Sequence, residues 1–144
     1  MSFISKQPQL EDYWRGIVLF GRNVASYKFA LAKSLLELKP ASGELVKLED
    51  LAPVYSGHIA EHLKQANKQG TSSSSKFLDG CRKYNLGNIN QEELIELTIR
   101  SGFNNVIDAF HVVGQGEVPA RFFIDERKNN KGIRITNEFS KLLT

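Results

Sequence analysis

Two short patterns in the chain have residue types and spacing suited to metal-assisted chemistry. His58, Glu61 and His62 form an H-x-x-E-H run. One helical turn separates the histidines, so both imidazoles can reach one zinc ion while Glu61 acts as general base. Such a site needs a third ligand, and Glu138 is the one candidate at a plausible distance along the chain. Nothing else supports it, and two helix histidines beside solvent is the plainer reading. Glu126 and Lys128 match the E-x-K half of a metal-dependent nuclease signature. On a strand, positions two apart share a face, which brings carboxylate and ammonium toward one phosphate. A second acid is also required. Asp108 is the nearest upstream but falls in a helical stretch, and Asp125 faces the other side of the strand, so a surface charge pair is the simpler reading. There is no P-loop, no dinucleotide-binding glycine pattern and no convincing nucleophile–histidine pair. The sequence therefore assigns no catalytic or metal-binding residue.

Binding chemistry is better represented. Arg121, Arg127, Lys128, Lys131 and Arg134 stand against Asp125 and Glu126, the densest basic cluster in the chain. Cations at the tip of a β-hairpin can reach phosphates, and each neutralised phosphate releases counterions. Asn129 and Asn130 can add hydrogen bonds to phosphate oxygens or minor-groove acceptors. The competing reading is a charged edge that blocks sheet aggregation. Arg15, Arg22 and Lys33 form a second, weaker set, aligned at helical offsets along one narrow edge together with Ser26; simple solvation also explains that edge. Phosphate binding requires these side chains to project outward, neither tied into internal ion pairs nor hidden against the body of the molecule. Cys81 is flanked by Arg82 and Lys83, which can favour a thiolate, although a passive helix-face cysteine is the plainer reading.

Helices must position most of these groups. Tyr13, Ile17, Phe20, Val24, Tyr27, Leu31, Leu35 and Leu38 recur at helical spacing, and Trp14, Val18, Ala25, Phe29, Ala32 and Leu36 widen the stripe. So broad a stripe predicts a core helix packed on more than one side. Gly21 would weaken it unless another element approaches closely there, and Asn23 reads as a satisfied buried amide. Pro40 ends this helix. The run 45–51 alternates weakly and reads as a short strand or a helix start. A second helix follows Pro53 and ends at Gly70, before a serine-rich loop. Ser75 can cap a third helix, and Asn90 with Glu93 has capping-box spacing for a fourth, stopped by Gly102. A short helix over 105–113 after so tight a turn resembles a helix-turn-helix. From Gly114 the texture turns to strand, with a hairpin turn at 129–132 and Thr136 as cap of a last helix. The order predicts a mainly α fold with a small C-terminal β-hairpin: a single domain over 1–144, with a long helical part (1–70) and a winged-helix-like half (76–144). The supposed recognition helix offers Asn104, Asn105, Asp108 and His111 but no arginine or lysine. Backbone or shape contacts are therefore expected rather than base readout.

At 144 residues the chain is long enough to bury one core, and its net charge of +3 permits a polyanionic partner without requiring one. A single cysteine excludes an internal disulfide and makes a reducing, cytoplasmic location the default. The first residues lack a basic stub followed by an apolar run, so no secretory signal is read there. The stretch 16–38 is interrupted by cations too often to span a bilayer, so no membrane partner is expected.

Several segments taken together, "DYWRGIVLFGRNVASYKFALAKSLLEL", "KFLDGCRKYN", "GFNNVIDAFHVVGQGEVPARFFIDERK" and "KGIRITNEF", resemble the N-terminal region of bacterial HNH endonuclease-like proteins, some associated with phage defence. The resemblance spans about Leu10 to Leu143. In that group the nuclease motif lies farther downstream. No HNH site can be assembled here: His111 precedes a hairpin that leads into no helix bearing a second histidine. The resemblance thus implies an accessory or targeting domain, the N-terminal part of a longer nuclease, with divalent metal needed only by a downstream HNH domain. DNA is the implied partner. The alternative is a protein-interaction or dimerisation domain, using the broad apolar surface of the first helix toward a second copy or another defence-system protein.

Overall fold

The computed structural model describes residues 9–20, 25–65 and 75–143. The fold is mainly helical with a small antiparallel sheet. The first helical stretch is described as α1 (Leu10–Phe20) and α2 (Ala25–Leu38); Gly21, Arg22, Asn23 and Val24 lie outside the described residues. Strand β1 (Leu45–Lys47) leads without a gap into α3 (Leu48–Gln65), so the weakly alternating run is both strand and helix start. Pro53 sits inside α3 rather than before it. The bond lost there is to the Glu49 carbonyl, in an exposed first turn that water can reach.

Local capping works largely as the sequence predicts. Ser75 accepts the Leu78 N–H at 3.3 Å and starts α4 (Lys76–Asn85). Asn90 and Glu93 close a capping box, at 2.8 and 2.9 Å, at the head of α5 (Gln91–Leu97). The helix then widens into a π-helical turn, Thr98–Gly102. Two hydroxyls explain the distortion: Thr98 Oγ1 donates to Leu94 O (2.7 Å) and Ser101 Oγ to Leu97 O (3.1 Å), competing with the backbone ladder.

The next element differs from expectation. The helix read over 105–113 is a single turn, α6 (Val106–Ala109), after which Val112–Val113 pairs as β2 with Gly116–Glu117, β3. Phe110 and His111 are pulled into the core, which ends the helix early. Strands β4 (Phe123–Glu126) and β5 (Gly132–Ile135) form the expected hairpin, but a helical turn, α7 (Arg127–Asn130), joins them. The left-handed residue of that connection is Lys131, with φ of 55°, not an asparagine. Thr136 precedes α8 (Asn137–Leu142) without capping it; its hydroxyl donates instead to Arg121 O.

β1 adds to the hairpin, giving the strand order β1-β5-β4 with Val46 opposite Ile133 and Phe123 opposite Ile135. Those four side chains share the core face. Gly132 is required because a Cβ there would collide with the Val46 carbonyl oxygen. An aromatic cluster joins α1 to this half: Trp14 packs edge-on against Phe110 and Phe122 and tilts onto Phe139. The breadth of the α2 stripe is corrected. Ala30, Leu31, Ala32 and Leu35 are buried, but Phe29, Leu36 and Leu38 are exposed, while Lys28 is buried. No helix among the described residues is long and apolar enough to cross a membrane.

Candidate nucleic-acid interface

The five hairpin cations separate into distinct groups. Arg127 is consumed. Its Nε and Nη2 donate to the two carboxylate oxygens of Asp125 (2.8 and 2.7 Å), Nη2 also to Asp108 (2.6 Å), and Nη1 to Phe103 O (3.3 Å). This clip fastens the hairpin to α6 and to the exit of the π-turn. The hydrogen bond from Arg127 holds the Asp125 carboxyl below its ordinary range despite partial burial, and raises the guanidinium in turn. Arg134 is likewise occupied on the outer sheet face: Nε and Nη2 grip Glu126 (2.9 and 3.0 Å) and Nη1 donates to Gly43 O. Glu126, which also accepts from Asn130, is lowered chiefly by the Arg134 bond. These internal ion pairs run against the outward projection that phosphate binding requires.

Arg121 also has a partner, Glu117 at 2.7 Å, but both side chains are well exposed. An exposed pair of this kind is worth at most about 1 kcal/mol, so a phosphate can displace Glu117 at small cost. Lys128 and Lys131 are different again. Both are exposed, and neither forms an ion pair among the described residues. Lys131 is held firmly at its backbone: its N–H donates to Arg127 O, and its carbonyl accepts the Leu48 N–H at 2.9 Å. The braces made by Arg127 and Arg134 thus fix a turn from which two free ammoniums project.

Of the weaker set, Arg15 pairs with Glu11 one turn away (3.0 Å), Lys33 is exposed with no ion pair among the described residues, and Arg22 lies outside the described residues. Sequence reasoning missed Lys47. Its register partner is Gly132, which places it beside Lys131. No local signal reveals that, because the pairing joins opposite ends of the chain.

The metal-site readings lose their geometry. Lys128 lies on a helical turn rather than a strand, so it does not share a strand face with Glu126, and Asp108 and Asp125 converge on a guanidinium. His58 pairs with Glu37 on α2 at 2.9 Å, and Glu61 with Lys64. Among the described residues no three His, Cys, Asp or Glu side chains converge to hold an ion. The reactive-thiol reading of Cys81 is overturned as well: the residue is fully buried, and burial pushes the thiol up to about 12 against a minor opposing effect of Arg82. Native protein at pH 8 should resist iodoacetamide while urea-unfolded protein is fully alkylated, as read by mass spectrometry; equal labelling of both would contradict this burial.

The chain matches no known family, no curated protein and no solved structure.

Proposed function

We propose that the chain is a nucleic-acid-binding accessory or targeting domain that contacts phosphates through its braced hairpin. The observation that carries this reading is the pair Lys128 and Lys131: free cations on a turn rigidified by Arg127 and Arg134. Fixing the turn reduces the ordering cost that mobile lysines would pay on binding. The strand order β1-β5-β4, in which an early strand closes the sheet beside the hairpin, supports a winged-helix-like arrangement with the hairpin as wing. The one-turn α6, with Val106 and Ile107 buried, favours binding led by the wing without helix readout of bases. DNA, a role beside an HNH-type nuclease, and a cytoplasmic setting enter through the sequence resemblance and the single cysteine.

The test is the double variant Lys128→Ala/Lys131→Ala, with affinity for a short DNA duplex measured by fluorescence anisotropy across a salt series. Affinity should fall alike for unrelated sequences. The logarithmic salt slope should shrink by about two, one for each lost phosphate contact. Unchanged affinity and slope would remove the hairpin from the interface.

A second reading has its own observation. Phe29 and Leu36 stand seven residues apart on one face of α2, 54% and 37% exposed. Such a face suits a dimer or partner contact. Sedimentation showing a concentration-dependent dimer, with no duplex binding at low salt, would favour it over the first.

A further inference from the structure

A concave groove of about 390 Å³ opens beside the hairpin turn, lined by Lys47, Leu48, Glu49, Ile99, Asn130 and Lys131. That volume lies near the lower end of the range for small-ligand sites, roughly 300–1,000 Å³. Three distant parts of the chain build it: the β1–α3 junction, the π-turn and the hairpin connection. Two of them are backbone irregularities. Ile99 comes from the π-turn, a distortion that recurs at functional sites. Lys131 is a non-glycine residue in left-handed conformation, a form of strain that also clusters at such sites. The Ile99 and Lys131 side chains both remain exposed.

The lining is chemically mixed in a particular way. Ile99 provides most of the apolar surface, beside the edge of the largely buried Leu48. Lys47 and Lys131 both line the groove, and neither carries an ion pair among the described residues. The Asn130 amide nitrogen donates one hydrogen bond to Glu126, its oxygen is an acceptor, and Glu49 adds a carboxylate. The matching ligand has a flat apolar face, an anionic group and donor groups along one edge. A nucleotide has all three. A fully paired duplex offers the anion but keeps its base faces stacked inside, whereas an unpaired nucleotide exposes one.

We propose that this groove receives one unpaired nucleotide, with its base over Leu48 and Ile99, its phosphate between Lys47 and Lys131, and its amino or imino edge toward Asn130 and Glu49. The proposal rests on the nucleic-acid reading above and narrows its target to strands carrying an unpaired base.

Two fluorescein-labelled DNA duplexes test it, one fully paired and one identical except for a single bulged adenine, so that their charges nearly match. Anisotropy titrations at constant salt should show the bulged duplex binding about threefold tighter, less than a base gains on an aromatic ring because the groove offers aliphatic side chains. Ile99→Ala should abolish that preference while changing paired-duplex affinity by less than about twofold, since Ile99 makes no phosphate contact; thermal melting confirms that the variant is folded. Equal binding of the two duplexes, or a preference that Ile99→Ala leaves intact, would overturn the groove assignment while the hairpin reading stands. Absence of binding to either duplex would remove the hairpin reading and the groove assignment together.

Discussion

Replacing Trp14 with alanine should cost the fold about 3–5 kcal/mol, a large share of the roughly 5–15 kcal/mol that holds a domain of this kind together. Trp14 reaches from α1 into the aromatic cluster, with ring centroids 5.6 Å from Phe110, 5.0 Å from Phe122 and 5.7 Å from Phe139. Its partners come from the end of α6, the approach to β4 and from α8. One side chain therefore joins the N-terminal helix to the half that carries the hairpin. Truncation removes its transfer energy and leaves a cavity lined by three rings that cannot all collapse inward. Trp14 is the single tryptophan, so its loss also removes the tryptophan fluorescence signal; unfolding is better followed by circular dichroism. With a urea slope of about 1–3 kcal/mol/M, the midpoint should fall by about 2 M. A shift below about 0.5 M would mean that α1 does not dock here. Trp14→Phe, which keeps a ring in place, should retain most of the stability.

Acid should destabilise the protein through His111. The ring is 1% exposed, and Nε2 accepts the Phe122 N–H at 3.0 Å. That bond places the proton of the neutral ring on Nδ1, which has no partner among the described residues. Desolvation first, then the nearby Arg121 and Lys28 charges, drive its pKa down from 6.5 to about 3. Lys28 is itself buried, donates to Val112 O at 2.6 Å, and is lowered by desolvation. The unfolded histidine takes up a proton below about pH 6.5, but the folded one resists until about pH 3. Stability from the neutral ring is therefore complete above pH 6.5 and is lost as pH falls through that window. By pH 5 the loss from this one group should be about 2 kcal/mol. His111→Gln keeps an acceptor but cannot titrate. Urea midpoints at pH 7.5 and pH 5.0 should converge for the variant relative to wild type, after subtracting the decline that both proteins share. Parallel declines would show that His111 is protonated in the folded state at pH 5.

The two experiments probe the same structural unit. His111 stacks on Phe122 and meets Phe110 and Phe123 edge-on, so its neutrality and the aromatic packing depend on each other. The unit also supports the interface, because β4 begins at Phe123 and carries the hairpin turn outward. A protein weakened at Trp14 or His111 should lose duplex affinity only as the population unfolds, unlike the lysine variants, which should lose it while fully folded.

What the sequence determined by itself is local. Ser75 capping α4 and the Asn90–Glu93 box are legible because a cap is made within three residues, and no distant partner is needed to decide it. The two strands of the hairpin are legible for the same reason. The tertiary structure decided everything that depends on what lies opposite. Lys28 is buried and Phe29 exposed, although periodicity favours the reverse, because Val112 supplies a carbonyl for the ammonium while nothing among the described residues covers Phe29. The basic cluster looked uniform in one dimension. In three, Asp108 and Asp125 take Arg127, Glu126 takes Arg134, and Lys128 and Lys131 are left outward with Lys47 brought beside them by strand pairing. Charge type is written in the chain, but whether a charge is available depends on distances between residues far apart in sequence, and only the folded packing sets those.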